Sequence, residues 1–156
     1  MIEIDIPGFG LLRLEHLVSD FTGTLSVDGK LMPEVKKRLI TIAGSLKVHI
    51  LTADTFGTAK EELGGVKCET HIFKGKALDK RKEDFVKKIG AKGVVALGNG
   101  NNDRLMLETA RIGIAVCLAE GCAKDACIAS DICVITPLDA IDLLINPKRL
   151  KATLCF

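Results

Sequence analysis

At 156 residues, with 47% hydrophobic content and no low-complexity tract, the chain is long and apolar enough for one folded domain with a real core, which sets disorder aside. Its 22 basic and 20 acidic residues leave a charge of +2, the basic ones are scattered through helical patterns, and there is no Trp or Tyr to stack on bases, so nucleic acid is not expected as a partner. No apolar run reaches the roughly 18 residues that span a bilayer, and the start MIEIDIPGFG lacks the basic and apolar regions of a leader, so the expectation is a cytoplasmic protein without a membrane partner.

Ile2, Ile4 and Ile6 alternate with Glu3 and Asp5, and the chain then turns at PGFG into LLRLEHLVSDF. This predicts an N-terminal β-hairpin whose second strand runs on into the core. Pro33 opens PEVKKRLITIAG, where Val35, Leu39, Ile40 and Ile42 suit one helical face. LKVHILT reads as a short apolar strand, FGTAKEELGG as a short helix closed by glycines, and VKCETHIF as a more polar strand. LDKRKEDFVKKIG puts Phe85, Val86 and Ile89 on one stripe and stops at Gly90. After it come a buried strand GVVALG, a helix NDRLMLETA, a strand IGIAVC, a helix EGCAKDACIA, a strand DICVI and a last helix PLDAIDLLI. Such alternation predicts an α/β fold, a doubly wound and mostly parallel sheet, in a single domain over 1–156.

The six cysteines contain no CxxC pair, and His16, His49 and His71 lie in other segments. They read as buried, reduced thiols acting as small hydrophobes, with a metal site or redox pair within 117–133 as the sharper alternative.

Ligands of doubly wound sheets bind at the carboxyl ends of strands, beside the point where strand order reverses. Those ends carry Asp20 with Thr22, Gly23 and Thr24, then Thr52, then GNGNND from Gly98 to Asp103, with Lys82 in the helix between. Taken singly, each has an ordinary reading: a turn former, a helix cap, a surface lysine. Taken together they suit phosphoryl transfer. A carboxylate can attack phosphorus when cations neutralise the phosphoryl oxygens, and small residues after it let backbone N–H groups face an anion. Thr52 can donate its hydroxyl, Lys82 can supply charge, and Asn99 with Asp103 can offer oxygens to a hard cation such as Mg²⁺.

The order Asp20, Thr52, Lys82, GNGNND resembles the four motifs of the haloacid dehalogenase (HAD) superfamily of aspartate-nucleophile phosphohydrolases. More closely, DFTGTLS resembles the D-K-T-G-T site of P-type ATPases, ILTAD their second motif, and GNGNND their G-D-G-x-N-D motif, over about residues 12–136. The resemblance implies an aspartyl-phosphate at Asp20 and Mg²⁺ held by Asp20, Thr22 (through its carbonyl), Asn99 and Asp103, with Asn102 helping to orient the shell. It also implies a phosphoryl group bound by Gly23, Thr24, Thr52, Ala53 and Lys82. Lys82 is preferred to Lys74, Lys76 and Lys80 because KEDFV matches the family's entry to this helix.

Two departures matter. Most phosphatases of the superfamily carry a second aspartate two residues after the nucleophile as general acid and base. Here that position is Thr22, so the expectation is a slow enzyme, or a phosphoacceptor that works as a switch. Asn99 stands where an aspartate usually binds metal, which implies weaker Mg²⁺ binding. Only a flap, LSVDGKLM, with one helix and one strand fits between Thr24 and Thr52, so ion pumping is excluded and ATP hydrolysis would be weak at most. The stretch from His71 to Lys82 leaves no room for a cap domain. An uncapped site implies a bulky phosphorylated substrate or a homo-oligomer that covers it. A receiver domain would show an acidic pair at the end of its first strand, and LVSDF has one acid; a dinucleotide reading of GNGNND lacks the third glycine.

Overall fold

Strands β1 (Ile2–Ile6) and β2 (Gly10–Leu14) pair antiparallel, Ile2 opposite Leu14, in the computed structural model of the chain, which describes residues 1–156. Ile2, Ile6, Leu12 and Leu14 are buried while Glu3, Leu11 and Arg13 point away, as a half-buried ribbon requires. The predicted second strand does not run on into the core. It breaks at Glu15, and β3 (His16–Ser19) joins another sheet. The patterning changes there too: strict alternation gives way to Leu17 and Val18, neighbours buried on opposite faces.

The central sheet has six strands, all parallel, in the order β10-β9-β8-β3-β6-β7, formed with β6 (Lys47–Thr52), β7 (Cys68–Ile72), β8 (Val94–Gly98), β9 (Ile112–Val116) and β10 (Ile132–Val134). Between β3 and β6 lie a small hairpin, β4 (Ser26–Val27) with β5 (Lys30–Leu31), and helix α1 (Pro33–Ile42). Helix α2 (Ala59–Glu62) connects β6 to β7, and α3 (Leu78–Ile89) connects β7 to β8. Then follow α4 (Arg104–Thr109), α5 (Lys124–Ile128), α6 (Pro137–Ile145) and α7 (Pro147–Leu154).

The two faces of the sheet carry two cores. Leu17, Val48, Ile50, Val95 and Leu97 pack with α1, α6 and the N-terminal hairpin. Val18, Leu51, Val94 and Ala96 pack with Val86 of α3 and with Met106 and Leu107 of α4. Alternate residues of the central strands thus serve opposite faces, and β8 and β9 read as continuous apolar runs.

Three expectations are corrected. Ile40 is 51% exposed, because the stripe of α1 that meets α6 consists of Val35, Leu39 and Ile42. PLDAIDLLI is not the last helix: α7 follows it and buries only Leu150, too little to write an apolar stripe. No cysteine is fully buried. Cys68, Cys122 and Cys127 are half-buried, and Cys117, Cys133 and Cys155, which lie on the edge strand, at a strand end or near the terminus, are exposed. No helix is long and apolar enough to cross a membrane.

Candidate active site

Strand order reverses at β3, whose neighbours are β6 on one side and β8 on the other. Their carboxyl ends bring Asp20, Thr52 and the 98–103 loop to the same edge of the sheet. Asp20 is anchored through its backbone N–H, which donates to the Leu97 carbonyl at 3.0 Å, and through its carbonyl, which accepts from Ser19 Oγ at 2.7 Å.

Lys82 lies one turn inside α3 and is wholly buried. Its Nζ donates to Asp20 Oδ1 at 2.8 Å and to Asp103 Oδ1 at 2.6 Å. The other oxygen of Asp103 accepts from the N–H groups of Asn99, at 3.0 Å, and Gly100, at 2.9 Å, which holds the 3₁₀ turn Asn101–Asp103 against the end of β8. This close packing needs a glycine at 98, where a Cβ would stand 2.5 Å from Asp103 Cβ. Asn102 is half-buried in that turn.

After Asp20 the chain coils tightly. The Phe21 carbonyl accepts from the N–H groups of Leu25, at 3.0 Å, and Ser26, at 3.1 Å, and from Ser26 Oγ at 3.0 Å. Gly23 takes φ +79°, and a Cβ there would stand 2.5 Å from Asn99 Nδ2. The N–H groups of Gly23 and Thr24 are spent inside the coil, on the carbonyls of Ser26 at 3.0 Å and Phe21 at 3.3 Å. They do not form the anion cradle expected from the small residues. Thr24 contributes through its side chain instead: buried Oγ1 lies 3.3 Å from Asp20 Oδ2 and 3.1 Å from Asn99 Oδ1. Thr22 Oγ1 is buried without a hydrogen-bond partner.

Thr52 is buried, and its hydroxyl oxygen accepts from the Asp54 N–H at 2.9 Å, which leaves its own proton to donate. Ala53 is half-buried beside it. Asp54 in turn accepts from the N–H groups of Thr58 and Ala59, both at 3.1 Å, and so starts α2.

Burial pushes the Asp20 carboxyl up to about 6, with Lys82 opposing and Asp103 adding to the rise. Burial alone would lower the Lys82 ammonium, but the two carboxylates override it and hold it above its ordinary value. Two acids share one cation. The donors here are hard oxygens, one negative charge is left uncompensated when both acids are ionised, and Asp20 Oδ2 carries only the long contact from Thr24. Such a set fits a divalent oxygen-seeking ion.

Sequence reasoning missed Glu120. It stands in the loop after β9, and its Oε1 accepts from the Asp28 N–H of the β4–β5 hairpin at 2.9 Å. From the opposite side Thr58 Oγ1 donates to the Gly29 carbonyl at 2.6 Å. The hairpin is thereby tied down on both flanks. Asn99 Nδ2 donates to the Gly121 carbonyl at 3.1 Å and couples the same loop to the site. A lone glutamate in EGCAK gave no periodic or motif signal for this role.

No protein-family model matches the sequence. The uncharacterized protein MJ0073 of Methanocaldococcus jannaschii is 46% identical over 71 residues, which is 46% of this chain and 76% of that protein, and the two chains belong to one family. The 3-deoxy-D-manno-octulosonate 8-phosphate phosphatase of Moraxella catarrhalis, solved with magnesium ion, phosphate ion and KDO, matches with a TM-score of 0.65 at 18% identity over 85% of this chain and 86% of that one. A putative HAD superfamily (subfamily III A) hydrolase of Legionella pneumophila matches with a TM-score of 0.65 at 18% identity over 89% of this chain and 87% of that one. The chain has the HAD fold. In this HAD fold Asp20 directly follows the strand on which the order reverses, and the coil after it leads into the tied hairpin.

Proposed function

We propose that the chain is a Mg²⁺-dependent phosphohydrolase that acts on phosphomonoesters through an aspartyl-phosphate at Asp20. The observation that carries this reading is the buried Lys82 bridge between Asp20 and Asp103 at the switch point of the sheet. The HAD fold, shared with a phosphatase solved with magnesium and phosphate ions, supports it.

Asp20 Oδ2, the oxygen not paired with Lys82, attacks phosphorus. A P–O bond to the carboxylate forms, the ester P–O bond breaks, and the leaving oxygen takes a proton from water. Water then attacks phosphorus, the bond to Asp20 breaks, and inorganic phosphate departs with the carboxylate restored. Lys82 and the free proton of Thr52 hold the phosphoryl oxygens, with Ala53 N–H beside them. Bound Mg²⁺ would neutralise charge on those oxygens, and Asp20, the Thr22 carbonyl, Asn99 and Asp103 are the donors assigned to it.

The motifs assign the chain to a single-domain, uncapped, P-type-ATPase-like branch of the superfamily. Between Ile72 and Leu78 only a short connection passes, and the elements nearest the site are the β4–β5 hairpin and the Glu120–Gly121 loop tied to it. The substrate is accordingly a bulky phosphoester, or a second copy of the chain closes the site. A second reading, a low-turnover phosphoacceptor, is favoured by Thr22: its buried hydroxyl has no partner and no acidic proton to pass on.

Hydrolysis of an aryl phosphate with Mg²⁺ tests the first reading. Phosphate release is expected from wild type and not from Asp20→Asn; release that survives this substitution refutes it. Stable labelling without release would favour the switch.

A further inference from the structure

The polar strand β7 carries a second cluster that shares no residue with the Asp20 site. His49 stands opposite Glu69 in the β6–β7 ladder, and His71 follows two residues on, so all three side chains project from one face of the sheet, under α3. His49 is 4% exposed, and its Nδ1 has no hydrogen-bond partner; His71 Nε2 is likewise buried without one. Both unpartnered nitrogens converge on one atom. Glu69 Oε2 lies 3.3 Å from His49 Nδ1 and 3.6 Å from His71 Nε2, and the three atoms fall within 4.8 Å of one another.

These separations are long for hydrogen bonds, which centre on about 2.9 Å. They match the edge of a tetrahedron around zinc: bonds of about 2.0–2.2 Å put neighbouring ligand atoms about 3.3–3.5 Å apart. Two imidazoles and one carboxylate are a common zinc donor set, with a fourth position left for water. Glu69, 69% exposed, leaves that side open to solvent, while Phe85 closes the helix side, its ring 5.3 Å from that of His49 and 4.7 Å from that of His71.

The outer partner is in place as well. His16 Nδ1 lies 3.0 Å from His49 Nε2. With His49 Nδ1 given to a metal, its Nε2 carries the proton and donates it to His16, which fixes ring and tautomer.

We propose that His49, Glu69 and His71 form a Zn²⁺ site that fastens edge strand β7 to β6, with His16 as positioning residue. It accounts for polar side chains on a sheet face that a helix covers. It is independent of the phosphohydrolase reading.

The competing thiol cluster is Cys117, Cys122 and Cys127, whose ligand atoms also fall within 4.8 Å of one another. Cys127 Sγ donates to Cys122 Sγ at 3.4 Å, so two of its thiols already pair with each other, and Cys117 is exposed.

The test titrates Zn²⁺ into the Mg²⁺-saturated full chain by calorimetry, with a Co²⁺ spectrum and thermal melting in parallel. One Zn²⁺ is expected to bind and to raise Tm by several degrees. His71→Ala and Glu69→Gln, both at partly exposed positions, should lose this binding and this Tm shift. His16→Phe should weaken binding about 10–100-fold. Cys127→Ser and Asp20→Asn should leave it intact, and the Co²⁺ form should show no thiolate charge-transfer band. Absence of Zn²⁺ binding to wild type, retention of full affinity in His71→Ala, or loss in Cys127→Ser would each overturn the proposal.

Discussion

Lys82 Nζ and Asp103 Oδ1 stand 2.6 Å apart, both wholly buried, although one belongs to the second turn of α3 and the other to the turn after β8. The same ammonium reaches Asp20 at 2.8 Å, so a single cation holds together the ends of two central strands.

Removal of that cation strands two carboxylates in a dry pocket. Lys82→Ala should destabilise the metal-free fold by about 3–5 kcal/mol, the cost of breaking a buried ion pair at one partner. Urea denaturation without Mg²⁺ is the measurement. A change within about 0.5 kcal/mol, the range of surface substitutions, would show that the triad is not dry.

Gly98 has no positive φ to protect, yet a Cβ there would meet Asp103 Cβ at 2.5 Å and Cγ at 2.7 Å. Gly98→Ala should therefore push Asp103 off Lys82. The expected stability loss is about 1–3 kcal/mol, as for overpacking, with phosphate release depressed further than the stability loss explains. Equal kinetics for mutant and wild type would place the tolerance in the loop rather than in Asp103.

The Asp20 carboxyl rises from its ordinary 3.8 to about 6 on folding. A carboxyl raised in the folded state contributes stability that is fully present below the unfolded value and lost as pH rises through the folded one. Metal-free protein should thus become less stable between about pH 4 and pH 6 on this account. Under the proposed ligation by Asp20, Mg²⁺ needs the ionised carboxylate, so its affinity should fall about tenfold per pH unit below about pH 6. Calorimetric Mg²⁺ titrations from pH 5 upward read this directly, and a flat affinity would remove Asp20 from the ligands.

Thr22 stands two residues after Asp20, and its buried hydroxyl lacks any partner. Thr22→Asp should speed phosphate release by about 10²–10⁴, the usual contribution of a positioned general acid and base. Single-turnover release from labelled protein is the readout; no acceleration would locate the slow step elsewhere.

Much of the architecture was legible because burial writes a local pattern. Continuous apolar runs marked β6, β8 and β9 as strands covered on both faces, and the opening alternation marked a half-buried hairpin. The polar residues that close those runs pointed to the crevice, since no packing demand explains Asp20 or Asp103 there. Where the pattern was thin, the reading failed: at Glu15 the only sign of the break is the change from alternation to the adjacent pair Leu17 and Val18, and α7 buries Leu150 alone.

Other features had no local signature at all. The burial of Phe21 and Leu25 in the coil after Asp20 gave no sign of how tightly that coil closes. The Glu120 tie to Asp28 joins residues 92 positions apart, and His16 meets His49 across 33. Periodicity states which face of an element is apolar, because each side chain meets solvent or core on its own account. Which polar groups meet one another depends on strand order and on helix rotation about the sheet, and those follow from the packing of the whole chain.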